Sequence, residues 1–183
     1  SRRQRQMCIR DSDNTIKVNE MMETTKEHVY AAGDVTGGYQ LTPVARMEGI
    51  TAARNMANYP NKVVYHAIPQ TLSLNTEVSF VEDEKNNCSE EDKVDIGIPG
   101  IAGPGAFWKI LSGDTGYTKI SFDKKQNKIK KINSISPSSV SDVAYLSYLM
   151  RINSPLDEYG DFLEIHPSTC LLYTSDAADD LIG

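Results

Sequence analysis

Hydrophobic and polar positions divide the chain into two stretches of different character. In the first stretch, a compact apolar run over His28–Asp34 ends in Gly-Asp and predicts a buried strand that leads into a loop. The segment 44–56 predicts a helix, with Thr42 as its N-cap and Pro43 at its first position. Gly49 interrupts this helix and is expected to mark close packing, because glycine in a helix costs about 1 kcal/mol relative to alanine.

The second stretch begins near Lys62 and consists mainly of short apolar segments that predict strands. Val140–Ile152 has a broad apolar face and predicts a helix with Ser139 as its N-cap. The charged run 82–93 is expected to form a solvated loop or a short helix, and the glycine- and proline-rich run 97–105 is expected to form a loop. The predicted strands are 63–68, 76–81, 117–122 and 128–135, of which the last two form a hairpin. The pattern therefore predicts an α+β chain, in which a strand, loop and helix precede an antiparallel sheet with flanking helices.

Composition excludes several classes of protein. The 183 residues are 39% hydrophobic and 24% charged, which is enough for a real core. No apolar run approaches twenty residues, so we expect no membrane span. The net charge of −6 disfavours nucleic acid as a partner, and three cysteines cannot build a disulfide framework. No secretory signal pattern stands at the start, which predicts a cytoplasmic location.

Both ends of the chain resemble the translation of a single transposase-type sequencing adapter. The oligonucleotide encodes Arg2–Asp11, and its reverse complement encodes Cys170–Asp179. Without these ends the natural part keeps one cysteine, Cys88, in a polar run that predicts an exposed loop thiol. We therefore expect four segments: adapter-derived residues at 1–12, a first natural piece at 13–61, a second at 62–169, and adapter-derived residues at 170–183.

Asp34 and the start of the following helix form the candidate binding site. A carboxylate at the end of a buried strand, unless it is paired, is placed to accept hydrogen bonds from a ligand. The helix that begins after Thr42 presents unpaired N–H groups and a partial positive charge at nearly the same place. A ligand with hydroxyls near one end and an electron-rich carbonyl or anion at the other fits both features. The structural alternative for Asp34 is a loop cap.

Two runs in this region, Thr24–Asp34 and Leu41–Gly49, resemble the second FAD-binding motif of the pyridine nucleotide-disulfide oxidoreductases. The runs read TTKEHVYAAGD and LTPVARMEG. The resemblance implies that Asp34 binds a ribityl hydroxyl of FAD and that amides around Thr42–Val44 face the N1/O2 edge of the isoalloxazine. Under this resemblance the first natural piece is the tail of an FAD-binding α/β domain. The implied cofactor-binding residues are Gly33, Asp34, Leu41, Thr42, Pro43, Val44 and Ala45.

The second natural piece resembles the interface (dimerisation) domain of the same family. Ile68-Pro69 resembles its opening, although the segment 74–81 lacks the usual Phe-Thr-x-Pro and Val-Gly. Ile165–Thr169 resembles the terminal Ile-His-Pro-Thr, which implies that His166 is catalytic and exchanges a proton with a redox-active thiol in the partner's active site. The family's orienting glutamate would fall at Leu171, in adapter sequence. Trp108–Ile110 and Gly116–Ile120 resemble further strands of that domain. His28 and His66 have no motif support and are predicted to be structural, and no metal site is expected.

The resemblance implies a fragment of an FAD-dependent, NAD(P)-linked dithiol/disulfide oxidoreductase, similar to dihydrolipoamide dehydrogenase. It implies a homodimer, a small dithiol or disulfide substrate, and an NAD or NADP site outside this chain. The family's Gly-x-Gly-x-x-Gly loop and Cys-x-x-x-x-Cys pair do not occur in the sequence. Two alternatives stay open: a member similar to NADH oxidase or mercuric reductase, or a fragment that acts only as an inactive dimerisation module.

Overall fold

The computed structural model describes residues 15–83, 89, 91–99, 116–136 and 139–161. The chain divides into two compact units, Ser1–Tyr65 and His66–Gly183, a few residues beyond the boundary expected at 61/62. The described part of the first unit contains one α-helix, and that of the second contains a sheet and one α-helix. In the part of the chain that the structure describes, no helix is long and apolar enough to cross a membrane.

The first unit is built around helix α1, Thr42–Met56, and a tight turn before it. The side-chain oxygen of Asn19 accepts hydrogen bonds from the N–H groups of Met21 (2.9 Å) and Glu23 (3.1 Å). This turn directs Met22, which is only 1% exposed, into a small core against α1. The core consists of Met22, Ala52 and Val63, with Val18, Tyr30, Met47 and Tyr65 packed around it.

Asn55 holds the first unit together from the buried face of α1. Its amide nitrogen lies within hydrogen-bond distance of the carbonyl oxygens of Met21 (2.9 Å), Thr51 (2.9 Å) and Asn61 (2.8 Å). Its carbonyl oxygen accepts the N–H of Asn61 at 2.9 Å. One buried side chain therefore joins the helix, the turn before it and the segment that follows it.

Three predictions for the first unit are wrong. The buried strand over 28–34 is not formed: among the described residues, its one ladder contact is an isolated bridge between Tyr30 and Glu23, because no partner strand runs beside it. Leu41, not Thr42, is the N-cap, because its backbone is extended and its carbonyl already accepts the Ala45 N–H. Gly49 faces open space, with nothing within 4 Å of a Cβ built on it.

The described part of the second unit contains a five-stranded antiparallel sheet with strand order β1-β2-β5-β4-β3. Its strands are β1 (Gln70–Ser73), β2 (Glu77–Glu82), β3 (Lys93–Pro99), β4 (Tyr117–Asp123) and β5 (Lys128–Ile135). The predicted β4–β5 hairpin is confirmed. The predicted strand at 63–68 is not formed. The loop predicted at 97–105 is wrong over 97–99, which belong to the edge strand β3, where a terminal proline is tolerated.

Helix α2, Ser139–Arg151, packs against β2 and β5 and closes the core of the second unit. The core includes Val81, Ile120, Ile132, Val143 and Leu146. The predicted N-cap Ser139 is instead the first residue of the helix, fully buried, with its hydroxyl 3.0 Å from that of Ser79. The fold class predicted from the sequence, α+β, is confirmed.

A cluster of charged and polar side chains is buried between the sheet and the end of α2. The Asp83 carboxylate lies 3.2 Å from Nδ1 of His66 and 3.4 Å from Nζ of Lys130. The other ring nitrogen of His66 lies 3.0 Å from the Met150 carbonyl oxygen, and Arg151 donates a 2.9 Å hydrogen bond to the His66 carbonyl. These contacts agree with the prediction that His66 is structural.

Candidate functional site

Asp34 lies on a short 3₁₀ turn, Asp34–Thr36, whose backbone is fixed on several sides. The Gly33 carbonyl accepts the N–H of Thr36 at 2.9 Å, and the Val35 carbonyl accepts the N–H of Ile16 at 2.8 Å. The Asp34 side chain is exposed, which differs from its expected place at the end of a buried strand. The turn therefore holds its backbone rigidly while the carboxylate stays open to an incoming group.

Gly33 brings this turn against the start of α1. Its backbone angles are φ 82° and ψ −162°, a conformation that is essentially restricted to glycine. A Cβ built on Gly33 would lie 3.5 Å from the Cβ of Ala45, an ordinary van der Waals distance, so Gly33 lies beside the first turn of the helix. The residue that precedes Asp34 is therefore a neighbour of the helix start.

The first turn of α1 leaves backbone donors available. It receives no side-chain cap. Pro43 has no N–H, while the amides of Thr42 and Val44 have no carbonyl four residues back inside the helix. Thr42 and Pro43 are exposed, Leu41 and Ala45 are half-buried, and Val44 is buried. An acceptor, Asp34, and two donors are thus carried by neighbouring segments.

Glu48, a residue without a role predicted from the sequence, links the two segments from inside. This side chain is 2% exposed, and its Oε2 accepts the N–H of Gly33 at 2.7 Å and lies 3.4 Å from the Thr36 hydroxyl. Its Oε1 accepts the Tyr65 hydroxyl at 2.6 Å. In the sequence, Glu48 is marked only by its place in the run Leu41–Gly49, because helical periodicity indicates that the position faces inward without showing what it contacts.

Tyr65 extends the same network to the far end of the loop. Burial is the main cause that raises the pKa of its phenol, followed by the hydrogen bond to Glu48 and the charge of that carboxylate. The phenol therefore remains a protonated donor at neutral pH. Its ring stacks on Tyr39, with ring centroids 6.1 Å apart. Glu48 and Tyr65 thus contact the loop at Gly33, Thr36 and Tyr39.

Other residues singled out from the sequence lie outside the described residues. These include the predicted catalytic residue His166 and the rest of its motif, Cys88, which was predicted to be an exposed loop thiol, and the segment Trp108–Ile110. Among the residues that the structure does describe, no group of three His, Cys, Asp or Glu side chains is arranged to hold a metal ion.

Comparison with known proteins gives a consistent result. Residues 2–49, which include Asp34 and Glu48, match the family model described as pyridine nucleotide-disulphide oxidoreductase. An uncharacterised protein of Methanocaldococcus jannaschii is 34% identical over 155 residues, which is 81% of this chain and 35% of that protein. A dihydrolipoyl dehydrogenase of Bacillus subtilis is 29% identical over 157 residues, covering 84% of this chain and 32% of the relative.

The fold has solved counterparts as well. The HOCl-induced flavoprotein disulfide reductase RclA from Escherichia coli, in its Cu(II) complex, superposes with a TM-score of 0.76 at 18% identity. The match covers 93% of this chain and 39% of that one. By architecture the chain therefore falls in the same fold class as part of a flavoprotein disulfide reductase.

Sequence similarity supports a more specific assignment than the fold does. The chain belongs to the pyridine nucleotide-disulfide oxidoreductase family. It spans about a third of the length of the curated relatives that it matches over most of its own length.

Proposed function

We propose that the Asp34 turn and the start of α1 form one wall of an FAD site in a flavin-dependent disulfide oxidoreductase. One observation carries this proposal: an exposed carboxylate on a fixed turn lies beside a helix start that has no side-chain cap. The membership of the family supports it. A ligand with hydroxyls beside an electron-rich ring edge would satisfy both features at once.

The residues present fit such a group. The Asp34 carboxylate would accept a hydrogen bond from a ribityl hydroxyl, and the amides of Thr42 and Val44 would face the electron-rich edge of the ring. A helix N-terminus favours nearby negative charge by about 0.3–1 kcal/mol, and by up to ~2 kcal/mol when partly buried. When bound, FAD supplies the electron-transfer chemistry, and this wall orients the cofactor and biases its charge.

The test requires the complete gene product, obtained by extending the source sequence in both directions. We expect the purified protein to carry flavin, visible as its absorbance, and expect Asp34→Ala to weaken FAD binding about tenfold or more, since a hydrogen bond to a charged group contributes about 1.5–3 kcal/mol. Glu27→Ala, which removes an exposed carboxylate of the same unit, is the matched control. A complete protein that carries no flavin, or an FAD affinity that Asp34→Ala leaves unchanged, would overturn the proposal.

For the substrate we propose a small dithiol, similar to dihydrolipoamide, with NAD(P) as the second substrate. The relatives named dihydrolipoyl dehydrogenase and the Ile-His-Pro run at 165–167 support this assignment. His166 would exchange a proton with the reactive thiol of a homodimeric, cytoplasmic enzyme. Dihydrolipoamide-dependent reduction of NAD⁺ that falls by at least tenfold in His166→Gln is the expected result. An enzyme that oxidises NADH without any need for a thiol would contradict it.

A further inference from the structure

We infer that Glu48 and Tyr65 are positioning residues of the flavin wall, which set the orientation of the Asp34 carboxylate without touching the cofactor. This inference rests on the proposed function. It assigns a task to a buried carboxylate and a half-buried phenol that the binding contacts themselves do not use.

Glu48 holds the turn that carries Asp34. A single oxygen, Oε2, accepts the Gly33 N–H at 2.7 Å and lies 3.4 Å from the Thr36 hydroxyl. Gly33 and Thr36 flank Asp34 on both sides. The Thr36 hydroxyl has one proton and donates it to the Gly33 carbonyl oxygen at 2.9 Å, which ties the two ends of the turn together. The carboxylate of Glu48 therefore holds the turn through the Gly33 N–H, and Asp34 has little freedom to rotate with its backbone.

Tyr65 in turn holds the carboxylate of Glu48. Its hydroxyl donates to Oε1 at 2.6 Å, so both carboxylate oxygens have donors. Hydrogen bonds to an ionised acceptor are shorter and about twice as strong as neutral ones. A carboxylate held in this way cannot turn aside from Gly33. The stacking of the Tyr65 ring on Tyr39 adds a contact at the other end of the loop.

A positioning role for Glu48 has a consequence for ligand specificity. If Glu48 acts through Asp34, its loss will weaken only ligands that offer Asp34 a hydroxyl. Riboflavin carries the ribityl chain, whereas lumiflavin has the same ring system with a methyl group in its place. A general loss of structure would weaken both ligands, so the ratio of the two affinities separates positioning from stability.

The experiment titrates the apo form of the complete protein with riboflavin and with lumiflavin. We expect Glu48→Ala to lower riboflavin affinity about tenfold, with lumiflavin changed less than about twofold. Glu48→Gln should restore most of the affinity, because its amide oxygen can still accept from Gly33 and its amide nitrogen can donate to the Tyr65 oxygen. Tyr59→Phe, at an exposed tyrosine of the same unit, is the control and should change neither affinity.

A double-mutant cycle with Asp34→Ala decides whether Glu48 works through Asp34. We expect the double variant Asp34→Ala/Glu48→Ala to bind riboflavin as weakly as Asp34→Ala alone. Full additivity, or an equal loss for both ligands, would overturn the inference. If Glu48→Ala does not fold, Tyr65→Phe takes its place, with a several-fold loss confined to riboflavin as the expected result and no loss, or an equal loss, as the contrary one. Failure of Asp34→Ala itself to weaken riboflavin would instead refute the proposed flavin site.

Discussion

Replacing Asp83 by alanine should destabilise the second unit far more than replacing its chain neighbour Glu82. Both carboxylates stand at the end of β2 and both face a lysine of β5. The Glu82–Lys131 pair is the shorter, at 2.6 Å, while Asp83 lies 3.4 Å from Lys130. From distance alone, Glu82→Ala would be expected to cost more stability than Asp83→Ala. From burial, Asp83→Ala is expected to cost more.

Burial decides the magnitude. The side chains of Asp83 and Lys130 are 4% and 8% exposed, whereas those of Glu82 and Lys131 are 54% and 40% exposed. Removing one partner of a buried pair leaves an uncompensated charge in a medium of low dielectric constant and costs about 3–5 kcal/mol. The long distances around Asp83 argue for the lower end, about 3 kcal/mol. An exposed pair contributes only about 0–1 kcal/mol, which is the change expected for Glu82→Ala.

Native-state hydrogen exchange of the amides in β4 and β5 measures the opening free energy of this unit without interference from the first one. Urea denaturation followed by circular dichroism supplies a second estimate. The combined variant Asp83→Ala/Lys130→Met is the internal check, since it removes both charges and should be more stable than Asp83→Ala alone. Equal costs for Asp83→Ala and Glu82→Ala, or no recovery in the combined variant, would refute the reasoning from burial.

Three further substitutions test the packing of the 183-residue chain. Gly49→Ala should raise the stability of the first unit by about 0.5–1 kcal/mol, because alanine favours a helix and a Cβ there meets open space; a lower Tm would contradict this. Asn55→Ala should lower the free energy of unfolding, measured by urea denaturation, by about 2–3 kcal/mol, because several buried groups lose their hydrogen-bond partner at once. A loss below about 1 kcal/mol would show that water replaces these hydrogen bonds. Gly116→Ala should destabilise the sheet by about 1–3 kcal/mol, since its Cβ would lie 2.8 Å from the Ile135 carbonyl oxygen; unchanged exchange rates in β4 and β5 would argue against that crowding.

The elements that could be predicted from the sequence are those with strong local signals. Helix α1 has a proline near its first position, and α2 has a broad apolar face, so both were found within three residues of their observed ends. The β4–β5 hairpin was found because two apolar runs flank a short polar turn. In each case the information lies within about fifteen residues of chain, the range over which periodicity is informative.

The elements that were missed depend on partners distant in sequence. Strand β1 is polar and exposed, and it exists because Gln70–Ser73 pairs with β2 at the edge of the sheet. Strand β3 contains glycine and proline, which indicate a loop unless a neighbouring strand is known. The converse error occurred at 28–34, where an apolar run without a partner strand did not form a strand. Local pattern predicts where a strand could form, and pairing determines whether it does.

The two carboxylates of the candidate site also differ in how far the sequence could predict their roles. Asp34 could be singled out because it follows glycine in a motif, and its exposure on a fixed turn suits a residue that meets a ligand. Glu48 could not be assigned, because its partners, Gly33 and Tyr65, come from segments fifteen and seventeen residues away. The difference in burial gives the two carboxylates different roles. A carboxylate that is buried and hydrogen-bonded through both oxygens can hold a backbone segment but cannot bind a cofactor. A carboxylate open to water can bind a cofactor but needs another group to hold it in place. The 2.7 Å hydrogen bond from the Gly33 N–H to Glu48 is the main contact through which Glu48 can hold the turn that carries Asp34.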